Sequence, residues 1–317
     1  MNEPLTLREI LGLTPEAPAQ AWLALRGDPT LPGSRFGVSS LRIFTPRLGV
    51  ATWLGRRLLD RRVPVVNLYN RTPTPLTEGW SVRVTQVRDF RGRGLTYDSH
   101  NGTDFVAPAG TPIVACAAGR VVAVRSEYNR GGLKLYVEHG GGLATTYHHL
   151  ARTLVAVGDR VACGQPIALS GYSGLDALVG FPWVAPHLHY NVLLGGVIVD
   201  PFAAEGEVSL WRTGDNAPLP DVGDRAFTPT RFDPARVARL LADLRDDRDR
   251  ARLAAFEDLD RRAWELVVES VTYPTRFATP EAGRLLFDGP SRQSRLALPF
   301  DRDWEGIAFA DDEGLRG

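Results

Sequence analysis

Apolar and polar positions alternate most clearly between about residue 81 and residue 204. Ser81-Val82-Arg83-Val84-Thr85-Gln86-Val87 switches sides at every step, as a half-buried strand does. Ile113 to Ala115, Gly119 to Val124 and Leu133 to Glu138 repeat the pattern. Glycines at 110, 119, 131, 132, 140, 141, 142, 158, 164, 171 and 174 punctuate these short runs. Strands so short and so closely spaced predict a sandwich or barrel-like pair of sheets, not a parallel α/β sheet.

The flanks read differently. Residues 1–80 mix short apolar runs with prolines. Helices are expected at Leu7 to Leu13 and at Val50 to Leu59, and a strand at Val63 to Tyr69. The basic run Arg56 to Arg62 is expected to be the solvated face of a helix. After residue 205 a Pro/Gly-rich stretch leads to Asp233-Pro234, an N-cap followed by a first-turn proline. Val237, Leu240, Leu241, Leu244, Leu253, Phe256, Leu259, Ala263, Leu266 and Val267 fall near helical spacing and predict two helices, or one long one, packed on the β region. The expected organisation is an N-terminal extension at 1–80, a mainly β domain at 81–204 and a largely helical C-terminal extension at 205–317.

Composition narrows the choice of partner. Lys+Arg and Asp+Glu both number 37, so nothing in the net charge draws the chain to nucleic acid. No segment reaches the roughly 18 apolar residues of a membrane span. The first thirty residues lack a basic start and an apolar core, which sets the expectation of a cytoplasmic protein, or of an upstream start or unconventional export. Cys116 and Cys163 form neither a disulfide framework nor a closely spaced metal pair, and are expected as small buried residues.

All six histidines lie between positions 100 and 189. A metal site is the commonest cause of such clustering. His100-Asn101-Gly102-Thr103-Asp104 reads as a loop-to-strand corner, where Gly102 lets both side chains converge. In Pro186-His187-Leu188-His189-Tyr190-Asn191-Val192, the two histidines share one face of a strand and Leu188, Tyr190 and Val192 the other. In Thr146-Tyr147-His148-His149-Leu150, strict alternation lets only one histidine face a site, and periodicity alone leaves open which.

Taken together, these elements resemble the lysostaphin/LytM-type zinc metalloendopeptidases, whose founding members cut peptidoglycan peptides. The resemblance rests on His-x-x-x-Asp, Tyr-x-His-Leu and His-x-His in that order. Between and after them stand Ala107 to Ile113, Ala118 to Val121, Glu138 to Gly140, Val157 to Ile167 and Val199 to Pro201. It implies a duplicated hybrid motif, a barrel-sandwich β domain. It implies zinc (Zn2+) held by His100, Asp104 and His189, with a fourth position left for water. It also implies His149 and His187 as the catalytic pair that handles the water's proton and the oxyanion. His139 and His148 match no functional position, and His148 is expected to point away from the site. The substrate implied is a peptide, with peptidoglycan as the family's founding target. Two departures stand out: an apolar stretch from Leu175 to Ala185 carrying Leu178, Val179, Phe181 and Trp183, expected as one wall of the substrate groove, and Asn191 in place of the family's usual Glu.

Three other readings compete. Lipoyl and biotinyl carriers share the Gly158-Asp159 turn but need a lysine at a hairpin tip, and Lys134, the only lysine, falls inside a predicted strand. A histidine phosphotransfer domain shares the fold but does not need Asp104. An inactive metal-binding scaffold would be expected to have lost a ligand, and all five positions are present here.

Overall fold

The computed structural model describes residues 3–28, 31–220 and 226–316; within these, nothing is said of the Leu178 side chain. In chain order the elements are α1 (Leu7–Leu11), α2 (Ala17–Arg26), β1 (Gly27–Asp28), β2 (Leu31–Pro32), α3 (Pro46–Trp53), β3 (Arg62–Asn67), β4 (Thr103–Val106), β5 (Pro112–Val114), β6 (Gly119–Glu127), β7 (Gly132–Gly140) and β8 (Leu143–Thr153). There follow β9 (Arg160–Val161), β10 (Pro166–Ser170), α4 (Leu175–Gly180), β11 (His187–Leu194), β12 (Val197–Val199), α5 (Pro234–Ala242), α6 (Asp247–Ala254), α7 (Leu259–Thr272) and β13 (Gly306–Phe309). The mainly β expectation is met.

One large sheet runs β13-β3-β4-β11-β8-β7-β6-β9, with β10 and β5 attached beyond β8 and β12 beside β11. Its inner face carries the principal core, in which Phe105, Tyr147, Leu188, Tyr190 and Val192 meet Trp211, Phe300 and Trp304 from the later chain. The sheet also takes strands from both flanks. β3 pairs antiparallel with β4, and β13 lies parallel to β3.

The outer face is shared. At one end Val122, Ala123, Tyr136, Ala144 and Leu193 pack under α5 and α7, with Val237, Leu240, Trp264 and Val267 filling the layer. The other end is left for the histidines. Among its described residues the C-terminal part holds three α-helices, where two or one long one were expected, because an aspartate restarts the chain each time. Asp233, Asp246 and Asp258 each accept backbone N–H bonds at a helix start.

Two further expectations are corrected. Ser81 to Val87 is not a strand beyond a single bridge from Ser81 to Arg35: the Asp98 carboxylate accepts the amides of Thr85 and Gln86 and the hydroxyls of Ser81 and Thr85, and the amides of Ser81 and Val84 go to the hydroxyls of Ser99 and Ser39, so side chains take amides that a ladder would use. The Arg56 to Arg62 run is not helical, since α3 starts at Pro46 and ends at Trp53. Arg57 lies over the Trp304 ring at 4.0 Å, and Arg61 and Arg62 pair with Glu305 and Glu313. Cys116 and Cys163 are buried and unbridged.

Candidate metal centre

β4 and β11 run antiparallel in a register that places His189 opposite Asp104. His100 sits in the corner before β4, turned inward by the bond between its Nδ1 and the Leu68 carbonyl at 2.7 Å. A carbonyl only accepts, so Nδ1 carries a proton and Nε2 is the atom turned toward Asp104. Gly102 is required by close approach, because a Cβ there would stand 2.8 Å from His189 Nε2.

The donors of His100, Asp104 and His189 all lie within 4.8 Å of one another. Asp104 Oδ1 is 3.0 Å from His100 Nε2 and 2.8 Å from His189 Nδ1, and the two nitrogens are 3.2 Å apart. Tetrahedral zinc with bonds of about 2.0–2.1 Å spaces its ligand atoms by about 3.3 Å. The donor set and its spacing therefore fit that ion. Burial works against the Asp104 carboxylate, but the charges of His100 and His187 and the bonds from His100 and His189 hold it well below the usual carboxylate range.

The remaining oxygen of Asp104 is also taken. Asn67 Nδ2, at the end of β3, donates to Asp104 Oδ2 at 2.8 Å. Asn67 Oδ1 in turn accepts from Arg316 Nη2 at 3.1 Å. Neither residue was singled out from sequence. Only strand pairing across the sheet brings them in, and no local spacing signals it.

His187 and His149 stand beside the trio. Their Nδ1 atoms donate to the carbonyls of Ala185 and Ser173, both at 2.8 Å, so each presents its Nε2 away from the backbone. The two rings are 5.0 Å apart, edge to face. His187 Nε2 is 3.7 Å from Asp104 Oδ1. His149 Nε2 is 3.7 Å from Asp176 Oδ2 on α4, a contact the sequence did not signal. Burial pulls His149 down to about 4, against the opposing charge of Asp176. On β11, Leu188, Tyr190 and Val192 do face the core, opposite the two histidines.

The expectation for His148 is corrected. Two residues, His148 and His149, stand between Tyr147 and Leu150 where β7 has only Lys134 between Leu133 and Leu135, so β8 carries a bulge. His149 takes the left-handed backbone that absorbs the extra residue, at φ 58°. Alternation is broken there, and both histidines line the cleft while Tyr147 and Leu150 keep the core. The His148 ring lies 5.1 Å from that of His189, and its Nε2 is 2.8 Å from Thr146 Oγ1. His139 faces elsewhere: it is buried, with Nδ1 on the Ala118 carbonyl and Nε2 on Thr145 Oγ1.

The cleft floor is β8 and β11. Leu175 to Ala185 forms one wall as α4 and the turn after it, braced by Trp53, whose ring meets Phe181 and Tyr172 edge-on at 5.0 and 5.5 Å. Phe44 and Trp80 from the N-terminal part, and Tyr97 after it, also line the cleft. Asn191 lies on the ligand face, two residues past His189, with Nδ2 on Asn101 Oδ1 at 3.3 Å.

Two histidines and a carboxylate converging from β11, β4 and the corner before it, with two more imidazoles beside them, form a metallopeptidase type of centre. Residues 98–201 match the model of Peptidase family M23, which supports the lysostaphin/LytM type of zinc metalloendopeptidase for that segment. The chain is 43% identical over 108 residues to peptidoglycan DD-endopeptidase ShyC of Vibrio cholerae, covering 34% of this chain and 23% of that protein. It is 32% identical over 136 residues to lysostaphin of Staphylococcus simulans, covering 41% of this chain and 26% of that one. The solved structure of LytU shares 37% identity, with a TM-score of 0.29, over 32% of this chain and 69% of that chain. The matches to the two curated relatives thus span about a quarter of their length.

Proposed function

We propose that the protein is a zinc-dependent endopeptidase acting on the peptides of peptidoglycan, with His100, Asp104 and His189 as ligands and His149 and His187 as catalytic residues. The observation that carries this is the convergence of three donor atoms at the spacing of a tetrahedral zinc, with two imidazole Nε2 atoms beside them. The relatives named for peptidoglycan and the lysostaphin match support the substrate class.

Zinc held there would supply a water acidified toward a pKa of about 7. His149 would take a proton at Nε2, with Asp176 steadying the imidazolium. His187, carrying a proton at Nε2 as well as at Nδ1, would donate to the scissile carbonyl oxygen where negative charge gathers. The proton held by His149 would pass to the departing amine as the carbon–nitrogen bond breaks. The three ligands do no proton work: His100 is locked by Leu68, and Asp104 by Asn67.

The test is made on the full chain. Zinc content is measured by elemental analysis, and purified sacculi are digested with products resolved by mass spectrometry. About one zinc per chain, chelator-sensitive release of peptide fragments, and loss of both in His100→Ala are expected. A protein that binds zinc but releases nothing from sacculi or from a peptide library would be the inactive scaffold instead.

A further inference from the structure

One cation in the cleft has no counterpart. Arg130 sits in the turn between β6 and β7 and lines the same cleft as the histidines. Its amide donates to the Glu127 carbonyl at 2.9 Å, but among the described residues its side chain makes no hydrogen bond or ion pair, and its Nε is buried without a partner. The acids that face it are Glu127 and Asp28, while Arg276 repels it. Glu127 is already committed, accepting from Lys134 Nζ at 2.6 Å and from the Tyr273 hydroxyl at 2.7 Å. Asp28 accepts from the Leu31 amide at 2.8 Å and is not within salt-bridge distance of Arg130. The guanidinium is left with the Tyr273 ring at 5.5 Å.

Arg130 is half-buried, and a partly desolvated charge is normally paired because burial without a partner costs free energy. Burial does depress the Arg130 pKa, but an arginine stays charged in proteins. The turn is also tied to the catalytic strand. The Gly131 carbonyl accepts the His149 amide at 2.9 Å, and a Cβ on Gly131 would stand 2.7 Å from His148 Nδ1. The cation is therefore fixed to the strand that carries His149.

We propose that Arg130 is the anchor for a carboxylate of the peptide substrate, which fixes where along the peptide the cut falls. This rests on the peptidase assignment above. A planar guanidinium binds a carboxylate through two parallel N–H bonds, which gives register as well as affinity. A peptide offers that anion in two places, its C-terminus and its acidic side chains. Within a peptidase groove the carboxylate is the complementary group.

Three probes separate the cases: a cross-linked muropeptide dimer with its carboxylates free, one amidated at the C-terminus, and one amidated at the side-chain carboxyls. For the wild-type zinc protein, one of the two amidations should raise KM by roughly 10- to 100-fold, the scale of a charge-assisted bond, and thereby identify the source. Arg130→Gln should erase that difference while kcat stays within about 3-fold, and Arg130→Lys should restore part of it. Arg130→Gln should also leave Tm unchanged or raised, because it removes an unpaired charge; a structural role would lower it. Equal KM for all three probes, or an undiminished preference in Arg130→Gln, overturns the proposal. If the wild type cleaves none of the probes, the peptidase assignment fails, and calorimetric titration of the same probes decides on Arg130 alone. Equal binding of free and amidated forms then overturns it.

Discussion

Asn67 Nδ2 donates to Asp104 Oδ2 at 2.8 Å, from a strand that lies outside the residues matched by the family. The bond leaves Oδ1 as the atom that faces His100 and His189. Partners of this kind orient a ligand and typically account for 10- to 100-fold in metal affinity. Asn67→Leu should weaken zinc binding by about that factor in competition with a chelator, with the fold retained by circular dichroism. Unchanged affinity would show that Asp104 is held by β4 and β11 alone.

His149 and His148 are adjacent yet should behave differently. His149→Ala should lower kcat by roughly 100-fold or more while zinc stays bound, the usual loss for a proton-transfer group. His148→Ala should cost turnover less than about 10-fold, acting through the orientation of His189, whose ring it touches. Both variants are assayed for zinc content and kcat. If His148→Ala were the more damaging, the roles of the two rings would be exchanged.

Asp176 should tune His149 from α4. Its charge opposes the burial that pulls His149 down, so Asp176→Asn should move the acid limb of the kcat/KM profile further toward low pH. The carboxylate is 57% exposed, so the shift should shrink in high salt. A profile identical to wild type at low ionic strength would rule the contact out as functional.

His139 should give the protein an acid-sensitive stability. Burial pulls it from 6.5 down to about 4, so the unfolded chain binds the proton more readily than the folded one. Its contribution is complete above pH 6.5 and is lost as the pH falls toward about 4, on the order of 3 kcal/mol in total. His139→Gln should flatten the fall in denaturation midpoint across that window. A fall of the same slope in both proteins would assign the acid sensitivity to other groups.

Much of the centre was legible in the residues themselves. His100 with Asp104, and His187 with His189, lie close in sequence, so a glycine corner and a two-residue period were enough to bring each pair together. His148 defeated the same logic, because a bulge adds one residue and the period assumes none. Asn67, Asp176 and Arg316 were invisible for another reason. Each reaches the site through a contact made across the fold, and nothing local distinguishes such an asparagine or aspartate from any other. Ser81 to Val87 shows the converse, a strand-like alternation whose amides are drawn to the side chains of Asp98, Ser99 and Ser39.

The contact from Arg316 to Asn67 joins two distant stretches of the chain behind one carboxylate. Residues 98–201 contain every proposed ligand, yet the bond on Asp104 Oδ2 comes from residue 67, and that asparagine is itself held from residue 316. The matched segment cut free of both flanks would keep all five histidine and aspartate positions and lose the brace on Asp104.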